Sequence, residues 1–193
     1  MSLLRYCLPI LALVAAALPA WGRVGHAYID AVSLRHGGRS ELLVSFRVQN
    51  AFDSRLLDIL DSGLPIRFTY SLRVVRPRDV LADQLVSAVT LDRTLVKDNL
   101  KNRYVVSSGY GADPRDVGSL TEAQEIMTHV DGARLIVPDG AGRSGPLLLK
   151  IKAQLQKFRL PFQLHYLFAF VSYWDVDTDW YVLELPRNAD ALP

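Results

Sequence analysis

Three aspartates near the C-terminus, Asp175, Asp177 and Asp179, spell DxDxD. Carboxylates at alternate positions can begin a calcium loop, but such a loop takes glycine at its sixth place and a bidentate glutamate at its twelfth. Counted from Asp175, those places hold Trp180 and Pro186. The cluster therefore reads as a solvated turn whose carboxylates accept local backbone N–H groups, and no metal is expected there. Gly140, Gly142 and Gly145 spell GxGxxG. A nucleotide fingerprint of that form opens a helix whose N-terminus faces the pyrophosphate. Here Pro146 and a lysine-bearing strand follow instead, so a connecting loop is the better reading. The histidines, His26, His36, His129 and His165, show no HExxH spacing, and no serine lies in a GxSxG elbow. A non-enzyme without cofactor is expected. A hydrolase whose site is assembled from distant residues is the enzymatic alternative.

Residues 107–118 offer a candidate binding loop. Tyr110 sits among glycines, with Arg115 and Asp116 nearby. Tyrosine and arginine are over-represented at the energetic centres of interfaces, and loops on a rigid scaffold commonly carry function.

The elements that must position these residues are mostly strands. Residues 24–34 and the alternating run Leu42, Val44, Phe46, Val48 read as a hairpin around Arg35-His36-Gly37-Gly38-Arg39, whose glycines are free to take positive φ. Asp53 caps a helix over Ser54–Asp61 that Gly63 ends. Ile66, Phe68, Tyr70, Leu72 and Val74 alternate with polar residues, giving a strand. Residues 86–95 and 103–106 read as strands, and residues 108–118 as loop. Ser119-Leu120-Thr121-Glu122 is a capping box, with Ala123, Ile126, Met127 and Val130 at helical spacing behind it and Asp131-Gly132 as the stop. A short strand over residues 134–137, a turn-rich loop and a strand over Leu147–Leu155 follow. Residues 164–174 are almost wholly apolar and fit either strand or helix. The run from Trp180 to Leu185 is a strand, with Trp180 expected to face the core. The fold class is mainly β (α+β): an antiparallel β-sandwich or partly closed barrel with two short helices.

Half of the 193 residues are hydrophobic and 22% are charged, an ordinary globular composition. The formal net charge of +2 does not point to nucleic acid. Arg5 and the apolar stretch from Leu8 to Ala20 read as a secretory signal peptide, taken as residues 1–22, ahead of a single β-rich envelope domain over residues 23–193. The alternative is an uncleaved N-terminal anchor in the inner membrane. Cys7 is the one cysteine and precedes the apolar stretch. The mature chain then has no disulfide framework, no zinc–thiolate site and no cysteine nucleophile.

Leu160-Pro161-Phe162, then Trp174-Asp175 and Asp179-Trp180-Tyr181, resemble the end of an uncharacterised proteobacterial envelope family, domain of unknown function family 4390. Gly63-Leu64-Pro65-Ile66, the segment from Arg93 that ends near Tyr104, and Gly118-Ser119-Leu120 with Ala123 are similar to further segments of that family. Gln163 stands where an arginine often follows the Leu-Pro pair. The resemblance implies export to the periplasm and no catalytic residues. It also implies a membrane sensor kinase as partner, because genes of this family often neighbour one of the nitrogen-regulation type. The reading is an exported, membrane-proximal binding or protein-interaction module whose partner is an envelope or membrane protein. A periplasmic carrier of an apolar or lipid ligand is the alternative.

Overall fold

The structure is a computed structural model and describes residues 26–38, 40–109, 113–155 and 177–186. Within these residues the chain forms β1 (Tyr28–Gly38), β2 (Glu41–Gln49), α1 (Ser54–Asp61), β3 (Ile66–Arg76), β4 (Gln84–Asp98), β5 (Arg103–Ser108), β6 (Arg115–Val117), α2 (Leu120–Thr128), β7 (His129–Ile136), β8 (Leu147–Leu155) and β9 (Tyr181–Leu185). One sheet has the order β1-β2-β7, the other β6-β5-β4-β3-β8-β9. All pairings between these strands are antiparallel. Neither sheet closes on itself, so the architecture is a sandwich and not a barrel.

Period-two alternation explains the packing. In β3, Ile66, Phe68, Tyr70, Leu72 and Val74 are all buried, and register pairs Phe68, Tyr70, Leu72 and Val74 with Leu155, Ala153, Ile151 and Leu149 of β8. From the smaller sheet, Val44, Phe46 and Val48 of β2 and Val130, Ala133 and Leu135 of β7 complete the core. Phe46 and Phe68 flank Tyr70 with ring centroids at 5.7 and 6.4 Å, the tilted arrangements that aromatic quadrupoles favour.

The helices carry the chain between the sheets. Asp53 Oδ1 accepts the Leu56 N–H at 2.9 Å to start α1, which buries Leu56, Ile59 and Leu60. Gly63 follows it at φ +79°, a conformation that costs glycine least, and its N–H donates to the Leu60 carbonyl. Ser119 Oγ accepts the Glu122 N–H at 3.2 Å to start α2.

Several expected boundaries move. The first strand runs over Tyr28–Gly38 rather than residues 24–34. Gly37 and Gly38 do not use positive φ. A Cβ on Gly37 would instead meet Glu41 and Leu43 at 3.0–3.1 Å, so close approach is what glycine permits there. Helix α2 stops at Thr128, and Val130 belongs to β7. Asp131 and Gly132 form a bulge, two residues set against Ser45 alone, with Gly132 at φ +62°. Residues 108–118 contain the short edge strand β6. The ambiguous run 164–174 lies outside the described residues.

Trp180 corrects a further expectation. It is 39% exposed and lies on the outer face. Register sets Leu149 opposite Leu183 and Ile151 opposite Tyr181, so β9 turns Tyr181, Leu183 and Leu185 inward and leaves Trp180 and Val182 outside.

Candidate functional site

Among the described residues, side chains of interest gather in three places. The first is the outer face of the smaller sheet, where alternation points Ser45 and Arg47 of β2 away from the core beside His129 and Asp131 of β7. Arg47 Nη2 donates to Glu125 Oε1 at 2.7 Å and lies 3.3 Å from His129 Nδ1, which is 3.4 Å from the same carboxylate. Ser45 Oγ donates to Asp131 Oδ1 at 2.7 Å and accepts the Gly132 N–H at 3.0 Å. That hydrogen bond holds the Asp131 carboxyl below its ordinary pKa, helped by the charges of Arg35 and His129 and opposed by partial burial. The Ser45 proton is thus committed to the Asp131 carboxylate, whose lowered pKa makes it a weak base for activating a nucleophile. Arg35–Asp131, Arg47–Glu125 and Arg134–Glu41 neutralise the face in pairs. Exposed pairs of this kind contribute about 0–1 kcal/mol each. The arrangement clamps a bulge and solvates a sheet.

The second place joins the buried Tyr70 to the half-buried Arg93. Arg93 occupies an inward position of β4, opposite Phe68. Its Nη1 donates to the carbonyls of Ile126 and, at 2.5 Å, His129, where α2 ends. Its guanidinium lies 5.9 Å from the centre of the Tyr70 ring, and the Tyr70 hydroxyl donates to the Met127 carbonyl. Burial pushes the Tyr70 phenol well above its ordinary pKa, with Arg93 opposing. Burial also lowers the Arg93 pKa, with Tyr70 opposing. A cation and two donors meet the unpaired carbonyls of a helix C-terminus, the end that carries partial negative charge. This lock fixes α2 to both sheets.

The third place is one end of the outer face of the six-stranded sheet. The β3–β4 turn carries Val80, 93% exposed, and Leu81, 67% exposed. Lys150 Nζ donates to Asp83 Oδ2 at 2.6 Å and so ties the turn's end to the outer face of β8. Leu85 and Val182 are exposed nearby, and Val75 is buried on this outer side rather than in the inter-sheet core. Register sets Val75 between Leu85 and Leu148, and Lys150 opposite Val182. Arg73 lies over the Trp180 ring at 5.2 Å.

Between the sheets Ala27, Val48, Ala51, Phe68, Tyr70, Ala153 and Thr178 line a shallow apolar crevice with no part wide enough for a water molecule. Thr178 is buried there because its Oγ1 accepts the Ala153 N–H at 3.0 Å.

Among the described residues, those singled out from sequence do not converge. Arg115 and Asp116 lie exposed on edge strand β6, and Tyr110 lies outside the described residues. Asp177 accepts from Lys152 and Gln154 at 3.2 Å, Asp179 is exposed, and Asp175 lies outside the described residues. Among the described residues no group of three or more His, Cys, Asp or Glu side chains could hold a metal ion. The GxGxxG run forms a 3-10 turn over Ala141–Ser144 that leads into β8. His26 and His36 are exposed, and His165 lies outside the described residues. Sequence reasoning missed the role of Arg93. Its signal was a cation in the inward phase of Val89, Leu91, Arg93 and Leu95, a position that demands partners.

Fold and surface together define a two-sheet antiparallel α+β sandwich with paired charges on one outer face and an apolar corner on the other. The chain belongs to the family of a domain of unknown function, DUF4390, whose model matches residues 26–184. No curated protein and no solved structure matches it.

Proposed function

We propose that this chain is an exported, non-enzymatic binding module of the cell envelope that works through its exposed surface. The observation that carries the reading is the exposed aliphatic pair Val80 and Leu81 on the β3–β4 turn, with Leu85 exposed where β4 begins. Contiguous exposed apolar side chains mark interaction surfaces far more often than catalytic sites. The polar clusters support the same reading, since their charged groups are satisfied by one another and the carboxylate beside Ser45 has its pKa lowered, which weakens it as a base. For the carrier alternative, the crevice between the sheets among the described residues is too narrow for a ligand. Among the described residues no helix is long and apolar enough to cross a membrane. A membrane protein such as a sensor kinase is the partner we assign to the edge strand β6, through Arg115 and Asp116.

Fractionation of cell envelopes tests the reading. Wild-type chain should sediment with washed envelope membranes. The double variant Val80→Asp, Leu81→Asp, whose positions touch little of their own chain, should keep its circular dichroism yet appear in the supernatant. Equal retention of both would sink the assignment of this corner as the working surface.

A further inference from the structure

We infer that Ala31 is an extra residue in β1 whose bulge keeps the free edge of that strand from pairing with β1 of a second copy of this chain. Ile29 pairs with Val48 and Leu34 with Val44, so both turn toward the core, and Val32 packs against it between them. Asp30 pairs with Arg47 and Ser33 with Ser45, so both turn outward. From the first of these outward pairs to the second, β2 advances two residues and β1 three. The surplus residue is Ala31, exposed and at φ +50°. Without it, Ile29, Asp30, Val32, Ser33 and Leu34 alternate in and out without a break, each in the register it already holds. Neither packing nor pairing with β2 asks for Ala31, and a left-handed backbone crowds an alanine where glycine would be free. Asp30 Oδ1 accepts the Ala31 N–H at 2.7 Å and so holds the bulge from within the strand.

What the bulge changes is the edge. Among the described residues β1 has β2 on one side and no strand on the other. It has 11 residues, against three in β6, five in β9 and eight in β7, the other strands that end a sheet. A long row of unpaired N–H and C=O groups is a template for a further strand, and a bulge is one of the devices that spoil it. The shorter edges offer less, and β7 carries its own bulge at Asp131 and Gly132. A regular β1 would also complement itself. Laid antiparallel on a second copy about Ser33, it would set Asp30 against Arg35 twice on the outer face and Val32 against Leu34 twice on the inner. Opposite charges and aliphatic pairs facing across strands are both favourable. With Ala31 in place, setting Asp30 against Arg35 brings inward Val32 opposite outward Ser33, and the faces no longer match.

Light scattering on size-fractionated full chain tests this. Wild type and Ala31→Gly, which relieves the crowded backbone but keeps the extra residue, should give the same mass at each concentration. Deletion of Ala31 should keep the circular dichroism and give a mass that climbs with concentration to twice the wild-type value. Amide exchange at residues 32–35 should slow in the larger species, because the free edge is then paired. Adding Arg35→Asp to the deletion sets like charges across the pair and should return the mass to that of wild type. A deletion variant whose mass stays at the wild-type value overturns the inference. So does growth that leaves exchange in β1 unchanged or survives Arg35→Asp, since the contact then lies on another surface. If deletion of Ala31 unfolds the chain, deletion of Val32 removes the bulge in its stead and faces the same readouts. Loss of fold in both variants also overturns the inference, because the fold itself then needs the extra residue.

Discussion

Replacing Arg93 with methionine should cost more stability than any other single change to a charged side chain among the described residues. Arg93 points inward from β4, and its Nη1 serves two carbonyls, those of Ile126 and His129. Hydrogen bonds from a charged donor contribute about 1.5–3 kcal/mol. The guanidinium over Tyr70 at 5.9 Å adds about 0.5–1 kcal/mol. Methionine keeps much of the stem's packing, so the loss should be about 2–4 kcal/mol. With a urea m-value of about 2 kcal/mol/M, the unfolding midpoint should fall by about 1–2 M. Tyr70→Phe removes the hydroxyl from the Met127 carbonyl and should cost about 1–3 kcal/mol, because a buried acceptor is left unpaired.

The two changes should not add. Both groups hold the same helix end, so a double-mutant cycle should give a coupling of about 0.5–2 kcal/mol. Amide hydrogen exchange should show the loss locally, at the α2–β7 junction, before the rest of the sheets. Tyr70 also leaves a signature in alkali. Its phenol is raised by burial in the folded chain, so its contribution is intact below the unfolded pKa of about 10 and is lost as pH climbs toward the folded value. Wild type should lose about 1.4 kcal/mol per pH unit more than Tyr70→Phe in that window. A midpoint for Arg93→Met within about 0.2 M of wild type, or strictly additive costs, would refute the lock.

Two further outcomes can be checked simply. Ser45→Ala should raise the Asp131 pKa toward the ordinary carboxylate value, seen by NMR titration of the carboxyl carbon. The contribution of this pair is present above about pH 4 and fades as pH falls through the lowered folded value. An unmoved titration would show that the hydroxyl is not what holds the carboxyl down. Trp180→Ala should cost about 1–2 kcal/mol, the value of a half-exposed ring under one arginine, whereas Ile151→Ala in the core should cost about 2–5 kcal/mol. The reverse order in urea melts would contradict the register of β9.

Elements with one polar phase were legible from the sequence. In β3 the alternation of Phe68, Tyr70 and Leu72 with Thr69, Ser71 and Arg73 admits one buried face, and the structure has it. The caps at Asp53 and Ser119 were legible because a side-chain oxygen three residues ahead of a free N–H is a local geometry. The end of α2 was not. Val130 fits the helical stripe as well as it fits a strand, and what decides is the pairing of β7 with β2, a contact across more than eighty residues. Arg93 was hidden for the same reason, since its carbonyl partners arrive from another element.

Trp180 shows how a contested face is settled. Around β9 one phase holds Trp180, Val182 and Glu184 and the other Tyr181, Leu183 and Leu185. Glu184 marks the first phase as the outer one, against the pull of a large tryptophan. The neighbouring strand decides, because β8 carries Leu147, Leu149, Ile151 and Ala153 in one phase and Lys150 and Lys152 in the other. Burying the lysines would strand two charges in the core, so β8 has a single allowed orientation. Pairing then transmits it: Leu149 opposite Leu183 turns Leu183 inward, and Lys150 opposite Val182 turns Val182 outward. Trp180, two residues away in the same phase, follows it into solvent and meets Arg73 from β3. The lysines of β8 thus fix the outer face, and β9 sets a tryptophan and a valine beside them.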